Sequence, residues 1–199
     1  MNKIIKNTLI LAAITVVSGL VLGAAYEVTK DPIAQTQAKQ KQEACQAVYP
    51  EADSFEAMDV DQKAAKEAIK KMGTNATVDE VYSAVMDGSE AGYVITVTDK
   101  DGYGGDIQIT VGIMADGTVN GISFLSISET AGLGMRAKEP NFYNQFAGQQ
   151  AEKFYVSKDG GDGQPIDALS GATITTNAMT NGVNAGLAAF RYEKGGSQK

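Results

Sequence analysis

Between Lys6 and Glu27 the chain runs for 20 residues without a formal charge, NTLILAAITVVSGLVLGAAY. About 20 apolar residues is the length at which a helix crosses the hydrocarbon core of a bilayer. Lys3 and Lys6 precede the run, and Glu27, Lys30 and Asp31 follow it. A positive flank is retained in the cytoplasm, so the rest of the chain is expected outside. A cleaved signal peptide is the competing reading, because Gly23, Ala24 and Ala25 put small residues near a possible cleavage point. The run is longer than the usual apolar region of a signal peptide, which favours a retained anchor over residues 1–26. Asp31-Pro32 then has the chemistry of a helix start, Asp as N-cap and Pro at the first helical position. The stretch from Ile33 to about Val48 contains no Gly and is closed by Pro50. Residues 27–75 are therefore expected as a helical linker region, 76–194 as the main domain and 195–199 as a tail.

What the rest of the chain lacks excludes much chemistry. It holds no histidine and one cysteine, Cys45. A Ser-His-Asp triad, a His-based zinc site and His-ligated haem need histidine. An iron–sulfur cluster normally needs four Cys ligands. Redox chemistry on this chain would fall to an organic cofactor. Cys45, in a Gln-, Lys- and Ala-rich stretch, reads as an incidental thiol. With 24 acidic against 17 basic residues, the latter scattered, nucleic acid is not an expected partner.

Periodicity predicts an α+β domain with an antiparallel sheet and flanking helices. Asp61–Lys71 reads as a short helix stopped by Gly73. Val78–Met86 alternates weakly. Gly92–Asp99 and Ile107–Met114 are rich in β-branched residues and joined by the DKDGYGG turn. Asp116-Gly117 marks another tight turn before Val119–Ser126. Glu139–Phe146 is a predicted short helix with Pro140 in its first turn, and Lys158–Gly163 a glycine-rich loop. A last helix is expected from about Thr175 to Tyr192, with Met179, Val183, Leu187 and Phe190 at helical spacing. Meander plus helices is an α+β pattern.

The most informative segment is DALSGATITTN, Asp167 to Asn177. Gly171 and Ala172 let the backbone approach a ligand. Ser170, Thr173, Thr175 and Thr176 supply hydroxyls, and the free N–H groups of the following helix favour a phosphate. The same residues fit an ordinary helix cap. Chemistry alone leaves both readings open.

Asp167, Ser170, Gly171, Ala172 and Thr173 resemble the flavinylation motif of the FMN-binding domain family. ETAGLG, Glu129 to Gly134, resembles that family's second signature, and DGYGGDIQITVGI and KDGGD appear in the same order. The resemblance covers about Gly92 to Gly186. With the N-terminal membrane helix and short length, it points to the branch of the family found in the Rnf complexes. The branch found in the Na⁺-pumping NADH:quinone reductases is the next nearest. The resemblance implies FMN joined by a phosphodiester to Thr173, attached from FAD by a dedicated flavin transferase. It further implies electron transfer within an ion-translocating ferredoxin:NAD oxidoreductase. The implied partners are other membrane subunits of that complex, including a second flavin-bearing one.

Carried over, Asp167, Ser170, Gly171, Ala172, Thr175 and Thr176 surround the attachment point, with Thr176 a candidate donor to phosphate oxygens. Leu133 is implied as an apolar wall and Gly134 as a point of close backbone approach. Thr130 is implied as a donor to the ring edge, with Glu129 and Lys158 as further contacts. The alternatives for these residues are a tight turn, a core leucine and solvated charges. Tyr103, Phe142, Tyr143 and Phe146 either flank the ring or fill the core, which is favoured for the Phe residues. A stand-alone extracytoplasmic flavin carrier and a pilin-like surface protein are the rival functions.

Overall fold

The computed structural model describes residues 2–196. A single helix, α1 (Lys3–Val48), carries the apolar run, and the chain divides into two compact units, Met1–Lys41 and Gln42–Lys199. In the first unit the large apolar side chains from Ile4 to Val28 are exposed. This helix is long and apolar enough to cross a membrane. No new helix starts at Asp31-Pro32: Pro32 lies inside α1. A proline there forfeits its own N–H bond. Propagation from the apolar run before it into the Ala-, Gln- and Lys-rich residues after it outweighs that loss once the helix is nucleated.

The second unit is built on a five-stranded sheet in simple meander order. Its strands are β1 (Ser54–Met58), β2 (Thr77–Met86), β3 (Ser89–Asp99), β4 (Ile107–Met114) and β5 (Val119–Ser126), each antiparallel to the next. β1 places a strand inside residues 27–75, the stretch expected as a helical linker region. Its five residues take their order from pairing with β2, Phe55 opposite Ala84, and such an edge strand has little periodicity of its own. Helix α2 (Gln62–Lys71) begins where Asp61 Oδ1 accepts the Lys63 N–H, 3.0 Å away.

The expected meander strands are present, and their central members are buried on both faces. Tyr93, Ile95 and Val97 of β3 join the main core, whereas Val94 packs with Cys45, Val48, Tyr49 and Ala84 behind the sheet. That is why the GYVITV run lacks alternation. The end of α1 is fixed to this rear face. Asn120 Nδ2 donates to Val48 O (2.8 Å), and the Tyr49 hydroxyl donates to Ala91 O (2.7 Å).

The main-core face is covered by the final helix, Thr173–Gly196. Between sheet and final helix come a 3₁₀ turn (Gly134–Lys138), the one-turn helix α3 (Pro140–Tyr143), and the paired short strands β6 (Phe154–Val156) and β7 (Gln164–Ile166). The final helix is thus α4. Its Met179, Val183, Leu187 and Phe190 are all buried. α4 starts two residues earlier than its periodicity predicts, so the hydroxyl cluster sits inside its first turn. β6 and β7 are parallel and enclose the Lys158–Gly163 loop. Phe142, Phe146 and Phe154 form an edge-to-face series in the core, at centroid separations of 5.9 and 5.1 Å.

Candidate functional site

The first turn of α4 is fixed by a threonine acting inward. Thr176 is 0 % exposed. Its hydroxyl donates to Ala172 O (2.9 Å) and accepts the Leu169 N–H (3.1 Å). This corrects the role expected for Thr176: its donor is committed to the backbone and cannot reach a phosphate. The Ala172 N–H donates to Leu169 O and the Thr176 N–H to Ala172 O, both at 3.0 Å. Ala172 immediately precedes the helix and has no capping side chain. Among the described residues, no protein acceptor meets the N–H groups of Thr173, Ile174 and Thr175. An uncapped helix start of this kind favours an anion.

Gly171 enables the entry into that turn, with φ +77°, and a Cβ there would lie 3.1 Å from Leu133 Cδ2. Leu133 belongs to the second signature, which folds over the α4 start. The N–H groups of Leu133 and Met135 both donate to Thr130 O, at 3.1 Å. Gly134 is the tightest point. A Cβ on it would lie 2.5 Å from Thr175 Oγ1 and 2.6 Å from Glu129 Oε2. Glu129 itself is 8 % exposed, and its Oε1 accepts the Gly104 N–H at 3.3 Å.

These segments enclose a cleft of about 470 Å³ lined by Tyr103, Glu129, Thr130, Leu133, Gly134, Gly171, Ala172, Thr173, Ile174 and Thr175. Ligand sites typically occupy about 300–1,000 Å³. Leu133, Ile174 and Tyr103 are 44, 51 and 69 % exposed, so the apolar part of the cleft is open. Thr173 is exposed, whereas Thr175 is 1 % exposed.

Eight of the residues singled out in the sequence therefore meet: Glu129, Thr130, Leu133, Gly134, Gly171, Ala172, Thr173 and Thr175. Asp167 and Ser170 do not join them. They line a separate hollow of about 250 Å³ with Arg136, Glu139 and Gln145. Gln145 clamps the Asp167 backbone: its Oε1 accepts the Asp167 N–H (2.7 Å) and its Nε2 donates to Asp167 O (3.3 Å). The Ser157 hydroxyl donates to Asp167 Oδ1. Asp167 thus shapes the approach to the turn. Lys158 is exposed in the β6–β7 loop and is not among the lining residues.

Two lining residues carry little or no signal in the sequence. Ile174 is an apolar residue between threonines, turned outward by its place in the first turn. Tyr103 is a lone aromatic in a glycine-rich turn, compatible with either ring or core. The loop that carries it is anchored below by Asp99, whose Oδ1 accepts the Asp101 N–H at 2.8 Å. Burial pushes the Asp99 carboxyl above its ordinary value, the Asp101 N–H opposing.

Two family models match this chain. The FMN-binding domain model matches residues 102–188, and the RnfG N-terminal region model matches residues 1–48. The G subunit of the Na⁺-translocating ferredoxin:NAD⁺ oxidoreductase complex of Acetobacterium woodii is 33 % identical, covering 94 % of this chain and 92 % of its own. The chain belongs to the RnfG family. The G subunit of the proton-translocating ferredoxin:NAD⁺ oxidoreductase complex of Clostridium ljungdahlii is 30 % identical, over 98 % of this chain and 96 % of its own. The G subunit of the ion-translocating oxidoreductase complex of Vibrio cholerae is 33 % identical, over 90 % and 86 %. A solved structure, NqrC of Shewanella oneidensis, covers 74 % of this chain and 71 % of its own at 23 % identity, with a TM-score of 0.48.

The FMN that the domain model implies fits these residues. The uncapped start of α4 suits its phosphate, Leu133 and Ile174 offer apolar contact, and the missing side chain of Gly134 lets Glu129 and Thr175 pack against its backbone at the cleft wall. Among the described residues no Lys or Arg lines the cleft, so helix N–H groups are the available counter-charge.

Proposed function

We propose that this RnfG family member is a membrane-anchored electron-transfer subunit of an ion-translocating ferredoxin:NAD oxidoreductase complex, with FMN esterified to Thr173. The observation that carries the attachment point is the contrast within one helical turn. Thr173 is exposed and opens on the cleft, whereas Thr175 and Thr176 are buried and Thr176 is bound to the backbone. A transferase acting on the folded domain reaches only the first of these hydroxyls. With FAD as donor, the Thr173 oxygen forms the new bond to phosphorus, the pyrophosphate P–O bond breaks, and AMP leaves.

Bound FMN supplies redox chemistry that the chain's own side chains lack. The protein's contribution is position. α4 holds the phosphate end, Leu133 and Ile174 face the apolar part, and the open rim leaves a short path to neighbouring redox centres. The N-terminal helix confines the domain to the membrane, with Lys3 and Lys6 on the cytoplasmic side and the main domain outside. Confinement raises the effective concentration of the domain near the other membrane subunits, including a second flavin-bearing one.

The test is intact-mass measurement of the chain co-produced with the flavin transferase. The wild type and Thr175→Ala should carry the mass of an esterified FMN, and Thr173→Ala should not. Retention of that mass by Thr173→Ala, or its absence from the wild type, would overturn the assignment.

A further inference from the structure

The motif that resembles a flavinylation site fills the connection between the end of β7 at Ile166 and the start of α4 at Thr173. A connection of this kind has no ladder of its own to order it. Among the described residues, two side chains hold its backbone. Thr176 accepts the Leu169 N–H from within α4, at 3.1 Å. Gln145 grips Asp167, accepting its N–H at 2.7 Å and donating to its carbonyl at 3.3 Å. Asp167 thus receives a two-point pairing just beyond the last residue of the strand. A primary amide suits that task, because it presents an acceptor and a donor side by side, and the backbone partners decide which end is which. Gln145 lies 22 residues earlier in the chain, outside the motif. It lines the hollow that contains Asp167 and Ser170 and does not line the cleft.

We propose that Gln145 is a positioning residue for attachment of the flavin. Its amide pre-orders the motif in the free chain, so that the transferase meets Thr173 already presented. The inference rests on the FMN reading above. In the attachment step the Thr173 oxygen bonds to the FMN phosphorus of FAD, AMP leaves, and the hydroxyl proton passes to solvent. Gln145 touches none of these atoms and acts through Asp167. Without the clamp only a fraction of chains holds the shape the transferase binds, and apparent affinity falls by that fraction. Once FMN is attached, Gln145 has no contact with it, because it does not line the cleft. The signature is a defect in attachment with none in the attached flavin.

Initial rates of FMN transfer from FAD to the full-length, flavin-free chain in detergent, catalysed by the purified transferase, give the test. Gln145→Met keeps the side chain's length and loses both hydrogen bonds. It should raise KM for the chain about five- to tenfold and leave kcat within about twofold. Asn120→Ala removes an amide hydrogen bond on the rear face, to Val48 O. It should lower the melting temperature by a few degrees, as Gln145→Met does, yet leave KM unchanged. Fully loaded Gln145→Met should match the wild type in flavin absorbance and midpoint potential. If Gln145→Met does not fold, Gln145→Glu replaces it. That variant keeps the acceptor for the N–H but sets a second acceptor against the Asp167 carbonyl, and should also raise KM. If neither folds, Gln145 holds the domain and not the motif, and the inference falls. A folded Gln145 variant with wild-type KM overturns it. So does a loss confined to kcat, which places the fault in the bound complex, or an equal rise in KM for Asn120→Ala. A shifted flavin potential overturns it too, since the effect would then run through the cleft. Failure of the FMN reading itself would appear separately, as a wild-type chain that gains no flavin mass.

Discussion

Helices α1 and α4 are both rich in apolar residues, yet one exposes them and the other buries them. Leu9, Leu11, Leu20 and Leu22 of α1 are exposed, whereas Met179, Val183 and Leu187 of α4 are buried against β3 and β4. An apolar stripe on a long helix states only that something must cover it. In α4 the cover is the protein's own sheet. In α1 the segment has the length of a bilayer, consistent with the proposed anchor.

The contrast is most exposed to failure at the anchor. Produced in a host without the complex, a chain lacking residues 2–26 should move almost wholly from the membrane to the soluble fraction and stay folded by circular dichroism. Continued membrane association would break the distinction. Next in size is a paired truncation. Leu187→Ala should cost the domain about 2–5 kcal/mol in denaturant unfolding. Leu11→Ala, in the first unit, should leave domain stability within about 0.5 kcal/mol. Equal losses would show that the apolar N-terminal segment of α1 contributes to the domain core.

The same division into inward and outward residues recurs at the start of α4, where it can be sharpened. Thr176→Val should cost about 1–3 kcal/mol, because the Leu169 N–H loses its acceptor in a buried site. Thr173→Val should leave stability nearly unchanged while abolishing the flavin mass. The smallest effect is expected under the Tyr103 loop. Burial raises the Asp99 carboxyl, so the folded state binds a proton more tightly than the unfolded chain. Stability from this group is fully present below the unfolded value and falls as pH rises towards the folded one. Asp99→Asn should flatten the stability profile just above the ordinary carboxylate range. An unaltered profile would remove Asp99 from this account.

The sheet was legible because β-branched runs bounded by Gly and Asp announce strands directly. The sheet's edge strand was not, since β1 owes its conformation to pairing with β2. Pro32 misleads for a related reason: a local breaker predicts a boundary, but a helix strongly favoured on both sides runs through it. At the site, the small-residue turn and the following hydroxyls stand out in the sequence. Their separation into exposed Thr173 and inward Thr176, and the diversion of Asp167 and Ser170 to another hollow, do not.

By itself the order of residues determined the apolar N-terminal segment, the meander and the location of the hydroxyl cluster, because each depends on local length, periodicity or turn chemistry. Only the tertiary structure decided which hydroxyl faces the cleft and that Glu129 keeps an unpartnered oxygen there. Both depend on distant segments, Gly102–Gly105, Glu129–Gly134 and the first turn of α4, meeting at one place. Hydrogen-bond satisfaction and burial are properties of that meeting, and no single stretch of sequence contains it.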